Sequence, residues 1–582
     1  MTRPAPRSGH GIFILWRRLR APLIVLICVY AAAVLGFTLI PGVDPEGRRW
    51  TMSFVHAFYF VSFLGTTIGL GEIPYPFSDA QRLWATAAIY ATVIAWLYAI
   101  GSLFAVLRSP LFLRVMHEAR VQRQVGHLHE PFYLICGYDD AGSRVARELA
   151  EDGVRMVLID IEPLRIDAAD VDDLPVTAPV LCGDASDPGV LLLAGLQNPH
   201  CAGVLALTGS DTVNIKIALS ARLLRADIRV LCSAREHLAQ ARMAAAGADP
   251  IINPNDTFAE RVAMSLRTPS LHVIYESLTT QRGTAMDEVP LLPHGRWILC
   301  GSGLFTRTLR RQLERLAIQT VIVDADAADD DEGSIRGDAT DPDVLKRAGI
   351  EDASALVAGT TVDIDNLAIT LAARALNKRL FIVARQTQRR NDPVFKAAPA
   401  DLVVLSGYVV AGEVLRVIRA PQLASFLGRA RDEDEAWAAA LLERMREVIG
   451  DEVVESWSVE IAPASAPAVC RALGDGEPVT LGRLMLRPDG SGNLAHAVPL
   501  LLQRDRHREL RPGLETALQL GDGVLLCVRA RASVSLRTCR SGCGKGISTP
   551  RSLSSSSSAH ISAAWVDAGW VVSRRSAQTM SS

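Results

Sequence analysis

The chain has 582 residues, 49% hydrophobic and 21% charged, with a formal net charge of −2. That length suits about three or four domains, and the balanced charge speaks against nucleic acid as the main partner. Ten cysteines at irregular spacing, with no CxxC pair, speak against a disulfide scaffold or a closed zinc site.

The mean hydropathy of +0.19 is high for a chain of ordinary charge content. The apolar excess sits at the front. Leu23 to Ile40 is 18 residues without a charge, and Leu83 to Leu107 is 25. A helix needs about 20 apolar residues to cross about 30 Å of hydrocarbon, so both qualify as spans. Arg3, Arg7, Arg17, Arg18 and Arg20 precede the first span, and Arg108, Arg114, Arg120 and Arg123 follow the second. The positive-inside rule then puts both termini in the cytoplasm. Gly101, within the second span, is either a hinge or a small residue that lets helices pack closely.

Between the spans, Ser53 to Leu70 is apolar but holds His56, Ser62, two threonines and two glycines. It reads as a re-entrant segment, helical from about Thr51 to Leu64 and non-helical over Thr67 to Gly71. Irregular backbone at membrane depth survives only where protein buries it or where it lines a watery path. Span, half-span and span together therefore predict a pore. Its wall is Thr67, Ile68, Gly69, Leu70 and Gly71, whose carbonyls can replace the water of an alkali cation. Turning successive carbonyls to one axis needs left-handed dihedrals at alternate residues, which Gly69 and Gly71 tolerate. One chain supplies one wall, so several must surround the axis. Glu72 reads as a charge at the outer mouth that attracts cations.

At these residues the sequence resembles the potassium-channel family, whose filters are rings of four TVGYG loops. The resemblance covers about residues 20–108 and implies K+ as the permeant ion and a homotetramer in the lipid bilayer. Leu70 stands where the family has Tyr, and Glu72 where it usually has Asp. The Tyr hydroxyl that ties a filter to its pore helix is thus missing, which bears on potassium-over-sodium selectivity.

After a polar stretch at 109–130 the chain repeats itself. Phe132–Cys136 reads as a strand, Gly137 to Gly142 as a turn, and Met156–Asp160 as a second strand ending in an acid. The pattern returns at Trp297–Cys300, Gly301-Ser302-Gly303 and Val321–Asp324. Gly137 to Asp160 and Gly301 to Asp324 are both 23 residues apart. Gly183–Leu196 aligns with Gly337–Ile350 at nine of 14 identical positions. Two homologous Rossmann-like domains follow from this. In the first turn Asp139 occupies the middle position, where a carboxylate repels phosphate. In the second, Gly301 and Gly303 are intact, Thr306 takes the third place, and Asp324 is placed to accept ribose hydroxyls. Asp324, Asp326, Asp329, Asp330, Asp331 and Glu332 are a second candidate, for calcium.

These residues, about 131–430, resemble the RCK or TrkA-N family. The resemblance implies a ligand-regulated potassium channel of a bacterial inner membrane, with eight such domains in a gating ring below a four-chain pore. The regulatory ligand is a nucleotide or Ca2+, and no catalytic step is expected. The fold class is a membrane α-helical two-span pore module, two α/β Rossmann-like RCK domains and a small β-rich C-terminal domain. The expected boundaries are 1–21 N-terminus, 22–108 pore module, 109–130 linker, 131–290 and 291–430 RCK domains, 431–530 helical connector and β-rich domain, and 531–582 a disordered tail. In the last domain, strands are expected at Val453–Ile461, Leu481–Leu486, Val498–Leu502 and Val524–Arg529. Two other readings stand beside this one: a weakly selective cation channel, motivated by Leu70, and a membrane-anchored NAD-dependent oxidoreductase.

Overall fold

The structure is a computed structural model. It describes residues 9–66, 68, 71–73, 75–171, 174–279, 286, 289–327, 333–450, 453–463, 465–485, 496–505, 507–529 and 570–572. The chain divides into two compact units, Met1–His127 and Leu128–Ser582.

The first unit is built on two long helices. The outer one, Gly9–Leu39, holds an apolar window at Leu19–Leu39, and the inner one is Asp79–Leu107. Twenty-nine residues at 1.5 Å each reach about 44 Å, more than the roughly 30 Å of a hydrocarbon layer. Leu23, Ile27, Leu35, Leu39, Tyr90, Ile94 and Leu97 face outward and exposed, as lipid-facing side chains do. The inner helix starts with a capping box, in which the Ser78 hydroxyl accepts from Gln81 N and the Gln81 amide oxygen accepts from Ser78 N. It runs unbroken through Gly101. A Cβ there would meet nothing within 4 Å, so close packing within the chain does not explain that glycine. The stretch expected as a polar linker is a helix, Pro110–Gly126.

Between the spans, the short hairpin of Gly42–Val43 and Arg49–Trp50 leads into a 12-residue helix, Phe54–Gly65. Ser53 caps it by accepting from His56 N. At about 18 Å it is too short to cross a bilayer. Its inward face, Ala57, Phe60, Val61 and Phe63, packs on Val34 and Phe37 of the outer helix, Met52 and Phe77.

The second unit carries two parallel sheets of one topology. The first runs, in spatial order, Val180–Cys182, Arg155–Asp160, Phe132–Cys136, Cys201–Ala206, Arg229–Ser233 and Ile251–Ile252. The second runs Ser334–Arg336, Thr320–Asp324, Trp297–Cys300, Ala355–Ala358, Phe381–Gln386 and Leu402–Leu405. The strands are near-continuous apolar runs because helices cover both faces of each sheet. In both, the chain order reverses beside the first strand, which opens a crevice at the carboxyl ends of the strands.

The repeat extends to one buried side chain. The Asn214 amide oxygen accepts from Thr208 N (3.1 Å) and Thr208 Oγ1 (2.7 Å), while its nitrogen donates to Thr208 O (3.0 Å) and Ser233 O (2.9 Å). Asn366 makes the same four bonds, to Thr360 and Arg385. Each Asn stitches the ends of two neighbouring strands together with all four of its bonding positions used.

The third sheet is antiparallel, ordered Val454–Glu460, Gly523–Arg529, Ala497–Arg504 and His507–Leu510. The strand expected at Leu481–Leu486 is instead a short helix, Leu481–Leu484, capped by the Thr480 hydroxyl. The expected helix before this sheet is Glu435–Ile449. Of the tail, Trp570–Val572 lie among the described residues and pair antiparallel with Leu402–Val404.

Charge is buried where helices following the two parallel sheets meet. Arg261 donates to Tyr275 Oη (3.2 Å) and Glu413 Oε1 (3.5 Å) and lies 4.0 Å from Glu276 Oε1. Tyr275 Oη donates to Glu413 Oε1 (2.6 Å), and Arg416 pairs with Glu413. Burial pushes the Glu276 carboxyl up to about 7, against the pull of Arg261 and Arg416. A carboxyl raised on folding stabilises the fold while it holds its proton, and that contribution is lost as pH rises through about 7. Burial pushes His272 down to about 3, so its acid-side effect ends below the ordinary imidazole range. The intact protein should therefore lose about 1 kcal/mol of stability between about pH 6.5 and about pH 8. Thermal melts across that window should show the loss, and Glu276→Gln should flatten it.

Candidate functional site

The re-entrant helix ends at Gly65. Thr66 caps it, its hydroxyl donating back to Ser62 O (2.9 Å), and Ile68 N donates to Phe63 O (3.1 Å). The negative end of the helix thus lies at the start of the Thr67–Gly71 run, where it favours a cation. Ile68 is exposed, and Gly71 has φ +92°, the left-handed region that glycine permits. Thr67, Gly69 and Leu70 lie outside the described residues. Behind the helix end, Trp96 Nε1 donates to Tyr30 Oη (2.8 Å) and joins the two spans.

Glu72 is exposed and also paired within the chain. Its carboxylate accepts from Arg82 Nε (2.8 Å) and Nη2 (3.3 Å) and from Phe77 N (2.8 Å). The Arg82 hydrogen bond, then that from Phe77, holds the carboxyl below its ordinary range.

In the α/β domains the two Gly turns are alike in backbone and different in chemistry. Gly137 and Gly301 have φ +101° and +96°. Asp160 accepts from Tyr138 N (2.6 Å) and Glu162 N (2.8 Å), and Asp324 from Ser302 N (2.6 Å) and Asp326 N (2.8 Å). The acid at the second strand's end therefore holds the turn in both domains. In the first domain Asp139 caps the following helix, accepting from Ala141 N (3.1 Å) and Gly142 N (3.3 Å). Burial pushes its carboxyl above the ordinary range despite these bonds. The protein's own carboxylate thus stands where a phosphate binds in a dinucleotide fold. In the second domain, Gly303 leaves the helix start without a side-chain cap.

A cavity of about 780 Å³ lies nonetheless at the first domain. Its wall joins Tyr138, Asp139, Arg147, Arg165 and Arg235 of that domain to Thr387–Arg390 and Ser406-Gly407 of the second. Asp140 accepts from Arg389 N across this junction (3.2 Å).

Among the described residues no three His, Cys, Asp or Glu are grouped to hold a metal ion. Asp329, Asp330, Asp331 and Glu332 of the calcium candidate lie outside the described residues.

Comparison with known proteins agrees with both halves of this geometry. An ion-channel family model matches residues 24–109, and the TrkA-N domain model matches 133–254 and 297–406. Together they take in more than half of the chain. The chain thus joins an ion-channel segment to two TrkA-N (RCK) domains, the make-up of a potassium channel with RCK domains.

Potassium channel protein 1 of Methanocaldococcus jannaschii is 34% identical over 152 residues, 24% of this chain and 45% of that protein. The voltage-gated potassium channel Kch of Escherichia coli is 26% identical over 185 residues, 31% of this chain and 41% of that protein. The chain thus spans less than half the length of these two relatives. The GsuK channel bound to NAD matches at 18% identity and TM-score 0.43, over 92% of this chain and all of that one.

A channel segment ahead of the TrkA-N domains removes the oxidoreductase reading. Within these RCK domains, sequence reasoning placed Gly301, Gly303 and Asp324 together correctly, at one turn. It missed the cavity of the first domain, whose walls come from positions some 250 residues apart in sequence. One signal was present: Arg389 and Arg390 form a basic pair just after the second domain's fifth strand.

The two domains also solve one packing problem differently. A Cβ on Gly142 would lie 1.8 Å from Gly137 O. At the matching place, Thr306 instead donates its hydroxyl to Gly301 O (2.6 Å). Gly142→Ala should therefore cost roughly 1–3 kcal/mol through the displaced helix. Chemical denaturation of the intact protein in detergent is the check, with Gly303→Ala, which meets nothing within 4 Å, as the control that should cost only the smaller loss of a helix-cap glycine.

Proposed function

We propose that this chain forms a potassium channel of four copies, with passive conduction along Thr67, Ile68, Gly69, Leu70 and Gly71. The observation that carries this is the half-span itself. A helix too short to cross the bilayer stops at Gly65 and hands the chain to a Thr- and Gly-rich run between two spans. Irregular backbone in that position needs a water-lined path or burial in protein, and four copies around one axis provide both. The basic flanks of the spans put both termini on the cytoplasmic side of a plasma membrane.

A second reading, a weakly selective cation channel, rests on Leu70, which brings no hydroxyl to brace the run. Rubidium uptake into proteoliposomes with sodium competition decides between them. Strong rubidium preference supports the potassium channel, and equal flux of both ions supports weak selectivity. Gly69→Val should abolish uptake with the oligomer intact on size exclusion. Persistent uptake would mean that the path lies elsewhere.

The RCK domains, eight in a ring, set the open probability through a ligand that prefers one ring geometry. The ligand is an anion of nucleotide size, seated in the cavity of the first domain and spanning to the second. Arg147, Arg165, Arg235, Arg389 and Arg390 line that cavity, which suits phosphate and disfavours calcium. With Asp139 capping the helix, the contact runs through guanidinium groups rather than the helix N-terminus. Adenine nucleotides should raise the melting temperature of the full chain, and Arg235→Ala with Arg389→Ala should cancel the rise. A shift produced by calcium chloride and not by nucleotide would reverse the assignment.

A further inference from the structure

The residue after the proposed filter is held from three sides. Glu72 accepts both nitrogens of one face of the Arg82 guanidinium, at 2.8 and 3.3 Å, and the Phe77 amide at 2.8 Å. Each partner is itself anchored. Arg82 lies in the first turn of the inner span, just past the Ser78 capping box, and also lies 3.6 Å from Asp79. Phe77 is buried against Phe60 of the re-entrant helix (4.9 Å between ring centroids) and Phe37 of the outer span (5.9 Å). Tyr75, between them in the loop, packs edge-on against Trp50 of the hairpin (5.4 Å).

The carboxylate thus ties the chain, one peptide beyond Gly71, to the inner span through Arg82 and, through Phe77, to the aromatic packing of the re-entrant helix and the outer span. Gly71 itself has φ +92°, and among the described residues nothing lies within 4 Å of where a Cβ would stand. The fork geometry matters because a planar guanidinium orients a carboxylate where a point charge does not. At 55% and 36% side-chain exposure the pair contributes little to folding. Its geometry suits positioning instead.

We propose that the Glu72–Arg82–Phe77 clamp holds the outer end of the ion path in its selective conformation, the role Leu70 cannot fill. This rests on the channel reading above. Carbonyls replace a hydration shell only while their spacing is kept, so releasing the outer end should relax the choice between ions. A mouth charge that merely gathers cations has a different signature.

The test measures rubidium and sodium uptake by proteoliposomes of the full chain, for wild type, Glu72→Ala, Arg82→Gln and Arg82→Lys. The clamp predicts that Glu72→Ala and Arg82→Gln lower the rubidium-to-sodium ratio alike, by roughly twofold to fivefold, the range an exposed ion pair can hold. High salt should not restore it, and Arg82→Lys should restore only part. If the charges act by attraction alone, Glu72→Ala lowers total uptake and Arg82→Gln raises it. The ratio then stays fixed and added salt erases both effects, which overturns the clamp. A wild type that passes neither ion sinks the channel reading itself. A conducting wild type with an unchanged ratio in both variants overturns only the clamp.

Discussion

A main-chain carbonyl or amide in hydrocarbon must have a partner, and a helix that stops halfway across a bilayer leaves several without one. The first unit is organised around that constraint. The helix Phe54–Gly65 is capped at its start by Ser53, and its last turn is closed by Thr66. The backbone beyond it, through Gly71, can remain in a membrane only beside protein and water. The aromatic packing of Phe37, Phe60 and Phe77 holds this segment between the two spans. Ion passage is the function we propose for such a segment, since carbonyls that hydrocarbon leaves without partners are those a dehydrated cation requires.

The second unit shows one scaffold put to two uses. Both sheets share strand order, both Gly turns share a left-handed glycine, and both acids bond the turn they follow. Duplication preserved the parts that hold the backbone, such as Asn214 and Asn366. It released the parts that face the crevice. Asp139 stands against Gly303, and Gly142 against Thr306, so one domain fills its own helix start while the other leaves it open. The cavity then draws its walls from both, and a ligand there would sense how they lie against each other.

The buried charges among Arg261, Tyr275, Glu276, Glu413 and Arg416 belong to the same design. They lie on helices that follow each sheet, in a setting where replacing a buried ion pair by apolar side chains often costs nothing. A network of directional partners specifies one arrangement of those helices.

Much of this was open to sequence reasoning because it is local or repeated. Two long uncharged runs need only a length to be read as spans. The 23-residue interval from glycine to acid, found twice, carries the strand, turn and strand of each α/β domain. The short apolar run at Leu481 misled, since a few apolar residues fit a strand or a helix equally and only the Thr480 cap tips the balance. Glu72 was legible in part: it is exposed, as its neighbours in sequence suggest, and its partner stands ten residues on, brought near by the turn of Tyr75 and Phe77. The sequence alone determined which segments span, which repeat and which bear the pore motif, because hydrophobic length and backbone permissiveness reside in single stretches of chain. The tertiary structure alone decided where Glu72 binds, which walls enclose the first domain's cavity and which arginines face it. Those outcomes depend on distances between residues that meet only after the chain has folded.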